Sequence, residues 1–183
     1  MKRSLRLLLS AVLSLGLAGA AFASSKADNG RLDQRLTKEV RHALVMIPQF
    51  GLFDNLSYRV DGSTVTLYGQ VRDAIVKDAA ESSVKRLEGV ETVDNKIEVL
   101  PASSNDDRIR IQVARAVFGD SRLSSYANEP VPPIHIVVKN GHVDLVGVVR
   151  TQADKNSAFI RANGVPGVFS VNNNLQVEQP AKG

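Results

Sequence analysis

The chain of 183 residues contains no cysteine and no tryptophan, and only 2 Met and 3 His. Without cysteine there can be no disulfide framework, no thiolate zinc or iron–sulfur site and no cysteine nucleophile. No glycine-rich phosphate loop, H-E-x-x-H or G-x-S-x-G occurs, and no nucleophile–base–orienter set can be assembled. We therefore expect no enzyme activity, no metal and no cofactor. Aromatic residues are scarce at 5%, yet 43% of the chain is hydrophobic, enough to bury a core. Wholesale disorder is thereby excluded. The length suits one ordinary domain or two small ones.

Basic residues number 23 against 19 acidic, for a net charge of +4. Much of that excess sits at the start. Lys2, Arg3 and Arg6 precede an apolar stretch from Leu7 to Gly19, and Ala21-Phe22-Ala23 follows. A basic start, a short apolar run and an A-x-A site describe a secretory signal peptide, residues 1–23. The run is shorter than the roughly 20 residues needed to span a bilayer. No cysteine follows it, so a lipoprotein is excluded and a periplasmic location is expected. Loss of residues 1–23 leaves 20 basic against 19 acidic residues. A near-neutral mature chain gives no footing for nucleic-acid binding.

The rest of the chain is one unit written twice. Shifted by 78 positions, Val65, Leu67, Gly69, Val71 and Arg72 fall on Val143, Leu145, Gly147, Val149 and Arg150. Gly89, Val93, Asn95 and Val99 fall on Gly167, Val171, Asn173 and Val177 without a gap. Upstream, Asp33 to Leu36 matches Asp106 to Ile109 at a shift of 73, so five extra residues enter the second unit, placed at Asn128 to Pro133. The units span 30–101 and 106–179, joined by a polar linker at 102–105.

Each unit opens with a helix. Leu32, Leu36, Val40 and Leu44 form one apolar stripe, and Ile109, Val113 and Val117 form the other. A hairpin follows, with turns expected at Asp61-Gly62 and Asn140-Gly141. The second hairpin register would pair Lys139 with His142 and set His135 opposite Val146, too far apart for the two histidines to share a metal. A second helix is expected to start at the N-caps Asp73 and Thr151. A last strand carries Val93, Ile97 and Val99, or Val171, Leu175 and Val177. Gly69 and Gly147 sit inside strands, which points to a bulge or a close approach; a helix packed closely over them is the reading preferred here. Asn95 and Asn173 are expected to tie the preceding turn to the sheet. Units this small need support, so the two should dock on each other.

The strings Gly62-Ser63-Thr64-Val65-Thr66-Leu67-Tyr68-Gly69-Gln70-Val71 and Gly89-Val90-Glu91-Thr92-Val93-Asp94-Asn95 resemble the BON domain. The second copy reads Asn140-Gly141-His142-Val143-Asp144-Leu145-Val146-Gly147-Val148-Val149 and Gly167 to Asn173. The resemblance implies an α+β fold: two helix–strand–strand–helix–strand units, each with two helices on a three-stranded mixed sheet. It also implies a tandem periplasmic protein with a role in envelope integrity or osmotic stress. Phospholipid surfaces are the implied partner, an envelope protein the alternative. It brings no catalytic residues. Gly69, Gly89, Asn95, Gly147, Gly167 and Asn173 are its structural positions.

Two places are candidates for binding. Phe50, Leu52 and Phe53 crowd an apolar loop whose counterpart, Phe118 to Asn128, is mostly polar. The loop either caps the core or domain interface, or inserts into a lipid surface or partner. Arg108, Arg110 and Arg115 lie on the first helix of the second unit, with Arg108 and Arg115 on one side. They form either a solvated face or a weak contact with anionic lipid.

Overall fold

A computed structural model describes residues 33–129 and 131–179. The expected signal peptide and Leu32 lie outside them. The chain is helical over residues 33–45 (α1), where Leu36, Val40 and Leu44 are buried at every fourth position. Pro48 cannot donate to a further helical turn, and the chain leaves the helix just before it. A hairpin of β1 (Asn55–Asp61) and β2 (Thr64–Val71) leads into α2 (Ala74–Lys85). Asp73 caps that helix by accepting the Ile75 N–H. Two short strands, β3 (Thr92–Asn95) and β4 (Glu98–Val99), both run parallel to β2.

The second unit repeats this order. It comprises α3 (Ser104–Phe118), a 3-10 turn at Ser124–Asn128, the hairpin β5 (Ile134–Lys139) and β6 (His142–Val149), α4 (Gln152–Asn163) and β7 (Ser170–Val177). Thr151 and Asp154 form a capping box at α4. The return strand of each hairpin is central, with an antiparallel neighbour on one side and a parallel one on the other. Each unit is thus the expected mixed sheet with its helices. The register pairs Lys139 with His142 and His135 with Val146, as the turn chemistry requires. No helix among the described residues is long and apolar enough to cross a membrane.

Four expectations need correction. The first hairpin turns at Gly62-Ser63, because Asp61 pairs with Thr64 and remains in the strand. Gly62 takes the positive φ there, whereas both Asn140 and Gly141 take it in the second turn. The last strand of the first unit is broken at Lys96 and Ile97, where the Asn95 side chain accepts the Ile97 N–H. Asn173 accepts the Leu175 N–H in the same way while β7 stays continuous, so that bond alone does not break the strand.

Nor do Asn95 and Asn173 tie a turn to the sheet. Their side-chain amides donate to the Lys77 and Lys155 carbonyls of the second helices, at 3.2 and 2.8 Å, and so clamp helix to strand. The fourth correction concerns Gly69 and Gly147, over which no helix packs closely. Both have positive φ, +124° and +126°, and a Cβ on either would come within 1.9 Å of the Asn55 or Pro133 carbonyl oxygen. What approaches is the backbone leading into the antiparallel neighbour.

Each unit has its own core. The first gathers Leu36, Val40, Leu67, Val71, Ala80 and Ile97, and the second Ile109, Val113, Leu123, Tyr126, Leu145 and Leu175, all nearly inaccessible. Leu123 and Tyr126 belong to the segment that reads as mostly polar. They close the end of the second core that the apolar loop closes in the first.

Candidate functional site

The apolar loop at 46–54 lies between the two units. Leu52 and Phe53 pack against the second core, while Phe50 packs against the first. The Ile136 N–H on the outer edge of β5 donates to the Leu52 carbonyl at 2.9 Å. That bond covers part of an edge strand that would otherwise be free to pair with another chain. Phe50 stacks on His135 with ring centroids 5.3 Å apart. His135 Nδ1 lies 3.2 Å from the Gly51 carbonyl, which only accepts, so Nδ1 carries the proton. Arg72 spans the junction, its guanidinium 5.7 Å from the Phe53 ring centroid and 3.4 Å from the Asp107 carboxylate. Lys139 pairs with Glu98 across the same junction. The loop therefore joins the units, and Phe50, Leu52 and Phe53 are not presented to solvent as an insertion loop.

Burial holds the His135 imidazole below its ordinary value of 6.5, partly offset by the Gly51 carbonyl and the Asp54 carboxylate. The unfolded chain then binds a proton that the folded chain refuses. Stability is complete above the unfolded value and is lost as pH falls below it. We expect urea stability to decline as pH falls below about 6.5, and the decline to flatten in His135→Gln. An equal slope in the variant would remove His135 from the acid response.

Behind the junction the two units solve one problem in different ways. The backbone N–H groups of Arg72 and Arg150, equivalent positions after the central strands, each find a side-chain acceptor. In the first unit it is the buried Asp54 carboxylate at 2.8 Å, which also accepts the Gly51 N–H. In the second it is the Tyr126 hydroxyl at 2.7 Å, which donates in turn to Asp154. Burial pushes the Tyr126 phenol up, so it stays protonated and able to donate. Nothing in the linear spacing marks Tyr126 for this task.

The basic set on α3 divides. Arg110 is buried; it pairs with Asp107 and donates to the Val138 carbonyl, both at 2.6 Å, and so cannot reach an external ligand. Arg108 and Arg115 are exposed. Between them Ile111 is 46% exposed, three residues after Arg108 and four before Arg115, hence on the same face. Arg115 shares a shallow depression with Ile160 of α4, which is 67% exposed. Arg108 lies against Gly167, two residues before Phe169, the most exposed large apolar residue described, at 83%. An apolar and cationic surface thus runs from the turn end of the second unit along its helices.

The equivalent positions of the first unit are polar. Lys38 stands where Ile111 would be, Ser82 for Ile160 and Glu91 for Phe169. The described residues contain no group of three or more His, Asp or Glu able to hold a metal ion.

Comparison with known proteins accords with this architecture. The chain is 30% identical over 162 residues to osmotically-inducible protein Y of Escherichia coli (strain K12), covering 84% of this chain and 77% of that protein. It is also 30% identical over 171 residues to the outer membrane lipoprotein DolP of Haemophilus influenzae, covering 88% and 83%. Among solved structures, the C-terminal domain of CdsD, a structural protein of the Chlamydia trachomatis type III secretion system, aligns over 79% of this chain and 98% of that one. The identity there is 13% and the TM-score 0.28, too loose an overlap to bear on function. The BON domain matches at residues 32–101 and again at 105–179. With two such matches and two relatives at this level of identity, the chain belongs to the BON-domain family, of which it carries two copies in tandem.

Proposed function

We propose that this chain is a non-enzymatic protein of the bacterial envelope that docks on anionic phospholipid surfaces through its second unit. The observation that carries the reading is the divergence between two copies of one fold. Where the first copy has Lys38, Ser82 and Glu91, the second exposes Ile111, Ile160 and Phe169 beside Arg108 and Arg115. Exposed apolar side chains set among cations suit an interface where acyl chains meet anionic head groups. The names of the two relatives, one osmotically inducible and one an outer membrane lipoprotein, support an envelope setting. A periplasmic location follows if residues 1–23 are removed on export, and a role in osmotic tolerance goes with it.

Co-sedimentation with phosphatidylglycerol and phosphatidylcholine vesicles at low and high salt tests this. We expect salt-sensitive binding to the anionic vesicles. With about 1 kcal/mol from each cation near the surface, Arg108→Gln with Arg115→Gln should weaken binding roughly 30-fold. Ile160→Glu with Phe169→Glu should weaken it as well, with the fold intact because both side chains are exposed. Failure to bind either vesicle would leave the chain as a protein–protein adaptor.

A further inference from the structure

A second surface, on the opposite side of the second sheet from its helices, is a groove of about 870 Å³ between the units. Its floor is the open face of β5, β6 and β7, with His135, Val146, Val148 and Asn174; one wall is the end of α1, with Val45 and Met46. The lining is predominantly apolar, and Met46 and Val148 remain 65% and 45% exposed. The size, the larger apolar share of the lining and the place between two domains are those of a small-molecule site.

The charges in the lining select among ligands. Arg41, on α1 beside Tyr58, contributes a cation, and Glu129, before the Val131-Pro132-Pro133 wall, contributes an anion. Neither carboxylate nor guanidinium makes an ion pair with another described residue, and both side chains are exposed. His135 spends Nδ1 on the Gly51 carbonyl, which leaves its second nitrogen as a hydrogen-bond acceptor on the floor. We propose that this groove binds one molecule of a single-chain zwitterionic phospholipid. Its acyl chain would lie along Val146 and Val148, its phosphate toward Arg41 and its ammonium toward Glu129. A head group bearing both signs meets both charges, whereas a purely anionic one faces Glu129 unpaired. The inference rests on the phospholipid reading above, yet it uses a different surface of the second unit.

The test is calorimetric titration of the purified protein with lysophosphatidylethanolamine below its critical micelle concentration. The comparators are lysophosphatidylglycerol and free phosphoethanolamine. We expect saturable 1:1 binding, at least tenfold weaker for lysophosphatidylglycerol and undetectable for the free head group. Val148→Glu and Met46→Glu, both at exposed positions, should each weaken it more than tenfold; Arg41→Gln and Glu129→Gln should each weaken it several-fold. Ile160→Glu with Phe169→Glu should leave it unchanged, while Val148→Glu should leave vesicle binding unchanged. The two surfaces therefore fail separately. Absence of saturable binding, or binding indifferent to Val148→Glu, would overturn the proposal. So would equal affinity for lysophosphatidylglycerol, or a concentration-dependent dimer abolished by Val148→Glu, which would assign the groove to a second copy of the chain.

Discussion

Gly147→Ala should destabilise the second unit by on the order of 4 kcal/mol, near the upper end for a single substitution. Two costs add. The φ of +126° is a region that a residue with a Cβ adopts only under strain, worth about 1–3 kcal/mol. The new methyl would also stand 1.9 Å from the Pro133 carbonyl oxygen and 3.0 Å from its carbon. Backbone cannot rotate away as a flexible side chain could, so β5 would have to part from β6. That motion carries Ile134 and Ile136 out of the core and threatens the Val148 N–H bond to the Pro133 carbonyl. For a domain of this size the loss corresponds to a fall of roughly 20 °C in Tm. Gly69→Ala should do the same to the first unit, where the Asn55 carbonyl stands in the same relation at 1.9 Å. Thermal and urea denaturation of both variants is the measurement. A loss below about 1 kcal/mol would show that the strand relaxes cheaply and that the close approach is incidental.

Asp106→Ala should cost about 2–5 kcal/mol through a different mechanism. The Asp106 side chain is 1% exposed. One carboxylate oxygen accepts the Asn140 N–H and the other the Gly141 N–H, each at 2.9 Å. These are the two central residues of the β5–β6 turn, both held at positive φ. Removing the acceptor strands two backbone donors in a site that water reaches poorly, at about 1–3 kcal/mol for each. Asp106→Asn keeps one acceptor oxygen and should cost about half as much. Asp33, its equivalent in the first unit, lines an open pocket of about 400 Å³ beside Gly62 and Ser63. Asp33→Ala should therefore be the milder change, because among the described residues no hydrogen bond runs from the Gly62-Ser63 turn to Asp33, and its site is open to water. Equal effects at the two positions, followed by urea denaturation, would disprove this account of Asp106.

Much of the fold was legible because its signals are local. Val65, Leu67 and Val71 alternate with polar residues, so the strand and its buried face follow from a period of two. Asp73 and Thr151 cap helices because a short side chain with an acceptor is what a first turn lacks. Asn140-Gly141 specifies a two-residue turn, and with it the register of every pair from Lys139 and His142 upward. The Asp61-Gly62 dipeptide misled by a single position, since a turn motif shows that glycine is needed nearby without showing which loop position it takes.

The candidate sites were less legible. Arg108, Arg110 and Arg115 are alike in sequence, yet Arg110 is buried because β5 passes over it, 28 residues downstream. Phe50, Leu52 and Phe53 read equally well as an insertion loop or an interface. The choice falls to an edge strand 84 residues away, which offers His135 opposite Gly51.

The sequence by itself determined that one unit occurs twice, where its strands, caps and second turn lie, and which positions differ between the copies. Those properties depend on neighbours a few residues apart, or on comparing the chain with itself. Only the tertiary structure decided which carbonyl closes on each strand glycine and which arginine of α3 is lost to the interior. It alone showed that the apolar loop joins the units and that the divergent residues Ile111, Ile160 and Phe169 stand exposed. Contacts of that kind arise when segments tens of residues apart are packed together, and no local period or turn motif encodes them.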